Sequence, residues 1–177
     1  MRGGLSEDEL SSKSNIIQTR LVNNDKFANA GLVLCYMDFR NEVKTGGIIR
    51  ECRNAGKRIA LPLVKVDGTV RELLVYEIND LHNDVQEGPY GILEPCPEKL
   101  QLVADNEIDL VIVPGVAFDI HKQRLGYGAG YYDGLLVKLR PDCYKIGIAF
   151  DVQIVDMIPA ETHDIKMDSI ITESRII

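Results

Sequence analysis

Apolar residues in this chain fall into two rhythms, and the switching between them outlines the fold. Leu5-Ser6-Glu7-Asp8-Glu9-Leu10 writes a helix start: Ser6 can cap, Glu9 completes a capping box, and Leu5 and Leu10 have staple spacing. Helical spacing continues through Ile16, Ile17 and Leu21 to Asn23-Asn24, and a second short helix is expected over 25–30. Leu32-Val33-Leu34-Cys35-Tyr36 reads as a short buried strand. Residues 45–55 read as a helix with Ile48 and Ile49 inward and Gly56 at C′. The strand Ile59-Ala60-Leu61 follows, and Pro62 is expected to stop it. Residues 64–66 and 73–76 flank Asp67-Gly68, a hairpin-turn dipeptide. Residues 99–106 read as a helix, 109–113 as a buried strand, 135–139 as a helix, and 144–149 and 169–172 as strands.

Strands alternating with helices predict one α/β domain: three layers, α/β/α, around a mostly parallel sheet, with the hairpin as the departure. Ligands of such sheets lie beyond the carboxyl ends of the strands, so loops 37–45, 87–95, 114–133 and 150–164 are expected to meet there.

Between the strand at 109–113 and the helix at 135–139 stands Arg124-Leu125-Gly126-Tyr127-Gly128-Ala129-Gly130-Tyr131-Tyr132-Asp133. Glycines at alternate positions let amide N–H groups approach an anion, and a following helix start adds its positive end. Arg124 supplies a cationic fork and Asp133 a carboxylate able to hold a hard cation. A dinucleotide fingerprint would need glycine where Tyr131 stands, and no glycine pair is followed as a P-loop requires. On its residues alone the stretch is a nucleotide–metal site or a glycine-rich turn.

The chain has 177 residues, 45% hydrophobic and 27% charged, an ordinary globular balance with room for a sizeable core. Net charge is −7 with no Lys/Arg run, which argues against a nucleic-acid face; an anionic substrate needs positive charge gathered locally. Cys35, Cys52, Cys96 and Cys143 form no C-x-x-C, and His82, His121 and His163 have no metal-ligand spacing. No signal peptide, membrane-length apolar run or N-x-[ST] sequon is present, so the cytoplasm is expected and a membrane is not.

Val113-Pro114-Gly115-Val116-Ala117-Phe118-Asp119, continued by Arg124 through Asp133, closely resembles the signature of the 5-formyltetrahydrofolate cyclo-ligases, or methenyltetrahydrofolate synthetases. Glu42-Val43-x-Thr45, Leu61-Pro62, Gly91-Ile92-Leu93-Glu94-Pro95, Phe150-Asp151-x-Gln153 and His163-Asp164 match in the family's order. The resemblance implies a three-layer fold like the sugar-phosphate isomerase and CoA-transferase group. It also implies ATP-dependent closure of 5-formyltetrahydrofolate to 5,10-methenyltetrahydrofolate, through phosphorylation of the formyl oxygen. By the same resemblance, Arg124, Leu125, Gly126, Tyr127, Gly128, Ala129, Gly130, Tyr131 and Tyr132 hold ATP. Asp133 and Asp164 match magnesium ligands; Met37, Glu42, Tyr90, Tyr127 and Tyr131 match folate contacts. No side chain is assigned as a catalytic nucleophile, and a monomer is expected.

Four departures from the family pattern fall on the phosphate side. The basic N-terminal helix is expected to be truncated before Met1-Arg2-Gly3-Gly4, Lys122 replaces a glycine, Leu63 a basic residue, and Gly134 a larger one. Depleted phosphate-side charge favours a second reading, a non-catalytic or weakly active paralogue that binds reduced folate. The intact loop with Asp133 and Asp164 favours the enzyme. A sugar-phosphate isomerase fits the sheet but lacks a clear acid–base pair.

Overall fold

The computed structural model describes residues 4–68, 70–88, 91–159 and 164–177. Its centre is a six-stranded sheet built from β1 (Leu32–Leu34), β2 (Arg58–Asp67), β3 (Val70–Ile78), β6 (Leu110–Val113), β9 (Tyr144–Ile148) and β11 (Ser169–Ile171), in the order β11-β9-β6-β1-β2-β3. Every neighbouring pair is parallel except β2–β3, the hairpin turning at Asp67-Gly68. Two smaller sheets join β4 (Val85–Glu87) to β5 (Leu93–Pro95), and β7 (Ala117–Asp119) to β8 (Arg124–Leu125) and β10 (Ile154–Val155).

Alternation along the strands divides the core into two layers. Val33, Cys35, Ile59, Leu61, Leu110, Ile112, Ile146, Ile148 and Ile171 pack against α1 (Glu7–Val22), α2 (Asp25–Asn29) and α3 (Gly46–Asn54). Their neighbours Leu32, Leu34, Ala60, Val111, Val113 and Ile170 face the other way, onto Leu135 and Leu136 of α4 (Tyr131–Leu136). Strand positions alternate faces by construction, so a strand buried on both sides must be apolar throughout, as β1 and β6 are. The three-layer α/β/α arrangement with a mostly parallel sheet is therefore present.

α1 begins as its sequence dictates. Ser6 Oγ accepts from Glu9 N–H at 3.3 Å, and Glu9 Oε2 accepts from Ser6 N–H at 2.8 Å. Gly56 follows α3 at φ 68°, the left-handed C′ position where glycine meets no steric penalty.

Three expectations are corrected. Pro62 does not end β2, which runs on to Asp67 paired only with β3. β1 leaves the ladder after Ala60, so beyond it β2 has a free side where a residue without N–H is tolerated. Residues 99–106 are not an α-helix, only 105–106 entering a single 3-10 turn: Val103 N–H donates to Val75 O at 2.8 Å and Glu77 N–H to Gln101 O at 3.2 Å. That segment lies along the otherwise bare edge of β3, with Val103 buried in one core layer and Leu100 partly buried against the other. The helix expected at 135–139 instead begins at Tyr131 and ends at Leu136.

Candidate functional site

β1, β6 and β9 run parallel, so the loops leaving them share one edge. The loop after β6 is folded by its own motif. Asp119 is fully buried, and its Oδ1 accepts from the amides of His121 (2.8 Å) and Gln123 (2.9 Å), its Oδ2 from Ile158 N–H (2.8 Å). Burial alone would raise this carboxyl; the amides of Ile158, Gln123 and His121 outweigh it and hold Asp119 below the usual carboxylate range. The turn so tied brings β8 back against β7, with Arg124 opposite Phe118. Gly115 makes room: a Cβ there would fall 2.6 Å from the Phe118 ring and 3.2 Å from Arg124 Cγ. Gln153, in the turn just before β10, clamps the loop by donating to Gly115 O (2.9 Å) and Val116 O (3.2 Å).

Arg124 is thereby held almost out of solvent, its side chain 5% exposed. Its Nη2 bonds Asp133 Oδ1 at 2.6 Å, its guanidinium stands 5.8 Å from the Tyr132 ring centre, and its buried Nε has no hydrogen-bond partner among the described residues. Gly128 and Gly130 lie at φ 85° and 69°, and Gly130 caps α4 from the left-handed region, which no β-branched or bulky residue would enter cheaply. α4 has only six residues, so its dipole adds less than the sequence suggested; attraction for an anion rests on Arg124 and the loop amides.

Across the edge, Glu42 is 6% exposed. Its Oε2 accepts from Phe39 N–H at 3.0 Å and its Oε1 from the Tyr127 phenol at 2.9 Å. Asp38 fixes the same loop: Oδ1 accepts from Thr45 N–H (2.9 Å) and Thr45 Oγ1 (3.1 Å), setting the entry to α3. Burial first, then the Glu42 charge, push the Tyr36 phenol well up; burial, then Cys35 and Glu42, do the same for Tyr132. Both phenols therefore stay protonated around Glu42.

The structure thus joins Glu42, Tyr127, Arg124, Tyr132 and Asp133 through direct contacts or shared electrostatics. Met37 packs against the helix-side core and Tyr131 against the other, each only partly buried. Tyr90 and His163 lie outside the described residues. Asp164 is half-buried at the edge of the described segment, and no group of three His, Cys, Asp or Glu gathers among the described residues. Loop 87–95 is a partial correction: it includes β5, whose hairpin with β4 packs beside β2 rather than leaving a parallel strand. Lys122 does not face the phosphate side as extra charge. Its ammonium donates to Asp168 O at 2.9 Å and its own carbonyl accepts from Met167 N–H at 2.9 Å. Asp38 and Tyr36 were missed by sequence reasoning, because no spacing rule marks an acid that staples its own loop.

A parallel α/β sheet whose loops bring a buried arginine and two carboxylates to one edge has the layout of a small-molecule enzyme site. The chain belongs to the 5-formyltetrahydrofolate cyclo-ligase family, whose model matches residues 1–173. It is 30% identical to a probable 5-formyltetrahydrofolate cyclo-ligase of Schizosaccharomyces pombe, over 99% of this chain and 91% of that one. The cyclo-ligase of Escherichia coli K12 is 28% identical over 99% and 96%. Among solved structures, the 5,10-methenyltetrahydrofolate synthetase of Aquifex aeolicus superposes with a TM-score of 0.84 at 31% identity, covering 99% of this chain and 85% of that one.

Proposed function

We propose that this chain cyclises 5-formyltetrahydrofolate to 5,10-methenyltetrahydrofolate with ATP, releasing ADP and phosphate. The formyl oxygen attacks the γ-phosphorus and ADP leaves. Nitrogen 10 then attacks the formyl carbon, and the oxygen departs as phosphate once the ring is closed. Such a path asks for alignment and charge neutralisation rather than a nucleophilic side chain. The carrying observation is Arg124: a buried guanidinium with an unpartnered Nε, aimed along a glycine loop, suits a phosphate oxygen.

Arg124 and the backbone of 126–130 bind the phosphates, with Tyr131 and Tyr132 bordering them. Asp133 and Asp164 would hold Mg2+, which neutralises phosphate charge when bound. The donor set fits that ion, since two carboxylates suffice where phosphate and water complete the octahedron. Glu42 receives N–H groups of the pterin, and Met37, Tyr90, Tyr127 and Tyr131 line the folate. Four free, buried cysteines suit the reducing cytoplasm, and we propose that the protein works there as a monomer. No helix among the described residues is long and apolar enough to cross a membrane.

The test is spectrophotometric: 5-formyltetrahydrofolate, Mg2+ and ATP, following methenyl absorbance. ATP-dependent product that disappears in Asp133→Ala supports the reading. Folate binding without product would point instead to the non-catalytic paralogue.

A further inference from the structure

α1 buries Leu10, Ser14, Ile17 and Leu21, so a serine, 2% exposed, stands inside an apolar helical stripe. Its Oγ accepts from Lys44 N–H at 3.1 Å. Lys44 belongs to the loop that carries Glu42, and further bonds close that loop on itself. The Tyr36 phenol donates to Val43 O at 3.2 Å. Asp38 N–H donates to Thr45 Oγ1 (3.2 Å), while Asp38 Oδ1 accepts from Thr45 N–H (2.9 Å) and from its hydroxyl (3.1 Å). Inside this clasp Glu42 N–H donates to Phe39 O (3.2 Å) and Phe39 N–H to Glu42 Oε2 (3.0 Å). The turn between them puts Arg40 at φ 52°. That is left-handed backbone, which a long side chain keeps only where the surroundings hold it.

The Asp38–Thr45 clasp has two possible uses, and the structure separates them. As a helix cap, Thr45 would turn its oxygen onto the first amides of α3. It stands at the N-cap of α3, yet it makes no side-chain capping bond. Its hydroxyl goes to Asp38 instead, so the clasp serves the turn upstream rather than the helix. Charge plays little part: the Lys44 ammonium stands 3.9 Å from Asp38 Oδ2 and is 38% exposed, so water screens the pair. We infer that Asp38 is a positioning residue for folate binding. With Thr45 and Ser14 it keeps the strained turn closed, and so fixes the direction in which Glu42 presents its carboxylate. Asp38 acts through Glu42, and the inference rests on the proposed role of Glu42 toward the pterin. An acceptor ordered in advance loses less freedom when the ligand arrives, so opening the clasp weakens folate binding and leaves the phosphate side alone.

The experiment measures kcat and both KM values in the wild-type chain, Asp38→Ala, Asp38→Asn, Glu42→Gln and Asp38→Ala/Glu42→Gln, with urea midpoints alongside. Asp38→Ala should raise the folate KM about tenfold, the scale of the hydrogen bonds it removes, and leave the ATP KM within about twofold. Asp38→Asn keeps an oxygen for Thr45 and should recover most of the loss. In the double variant the folate KM should stay close to that of Glu42→Gln alone, because a clasp that only aims a carboxylate adds little once the charge is gone. Both KM values rising alike, or a double variant whose effects multiply, would overturn the inference. Should Asp38→Ala not fold, Thr45→Val against Thr45→Ser reads the same bonds: the folate KM should rise in the valine variant alone, and equal values overturn the inference. If wild type turns over no folate, the proposed reaction fails separately. The carbon-13 resonance of the Tyr127 phenol, which donates to Glu42 at 2.9 Å, then reports where that carboxylate points. It should move in Asp38→Ala and stay in Asp38→Asn; a resonance unmoved in both sinks the inference.

Discussion

The phenol of Tyr127 donates to Glu42 at 2.9 Å, joining the glycine loop to the loop after β1 across 85 residues of sequence. Glu42 is nearly buried while Tyr127 is 65% exposed, so the carboxylate is the fixed partner and the tyrosine the movable one. Glu42→Gln keeps the shape and the Tyr127 contact but removes the charge. A hydrogen bond to a charged group contributes about 1.5–3 kcal/mol, so the folate KM should rise roughly 10- to 100-fold. The KM for ATP should stay within about twofold, because in the proposed site the phosphates meet Arg124 instead. Steady-state kinetics with each substrate varied would check this, and an equal rise in both constants would place Glu42 elsewhere.

Arg124 and Asp133 neutralise each other at 2.6 Å before any ligand arrives. On the proposed placement, phosphate and metal would each detach one partner from the other, so their binding would be coupled. Calorimetry should show ATP with excess chelator binding at least tenfold more weakly than ATP with Mg2+, since one or more kcal/mol goes to opening the pair. In Asp133→Asn that dependence should largely vanish, with metal-free ATP bound as well as, or better than, in the parent. A variant that keeps the full Mg2+ dependence would contradict Asp133 as the metal ligand.

How legible was this in the sequence? Elements whose signal is local were plain: Ser6 with Glu9, Asp67-Gly68, Gly56, and the apolar runs of β1 and β6. Pro62 and residues 99–106 misled, because what decides them is which strand edge lies open, a tertiary fact. The site divided the same way. Arg124, Asp133 and Glu42 stood out through family motifs. Asp119 and Gln153 lay inside quoted motifs, yet their work is to tie turns together, and only the buried hydrogen bonds reveal it.

Two departures from the family pattern are explained by backbone and space. Lys122 sits at φ 67°, a conformation in which glycine is at home and other residues are strained. Lys122→Gly should therefore be more stable than Lys122→Ala by about 1 kcal/mol, since alanine keeps the strain and both lose the ammonium contact. Gly134, in α4, has nothing within 4 Å of a Cβ and no positive φ, so Gly134→Ala should add about 0.5–1 kcal/mol. Urea denaturation of the three variants reads both effects. Alanine matching glycine at 122 would mean that the turn relaxes freely.

Asp119 predicts how the site fails in acid. Its pKa is depressed in the folded state, because the amides of Ile158, Gln123 and His121 outweigh burial. A depressed carboxyl contributes stability that is complete above its unfolded value, about 3.9, and is lost as pH falls through the lower folded value. Wild-type stability should thus drop below about pH 4, and Asp119→Asn should flatten that drop. At pH 7 the same variant should be weaker by about 1–3 kcal/mol, for its amide would turn NH2 toward an N–H that now meets a carboxylate oxygen. Since the Asp119 turn sets Arg124 against Phe118, ATP affinity should fall with it, while the folate contacts proposed for Glu42 should stay. Urea midpoints from pH 3 to 7, with ATP and folate calorimetry at pH 7, check each arm. A variant with wild-type ATP affinity would show that Arg124 is held by Gly115 and Phe118 without the Asp119 turn.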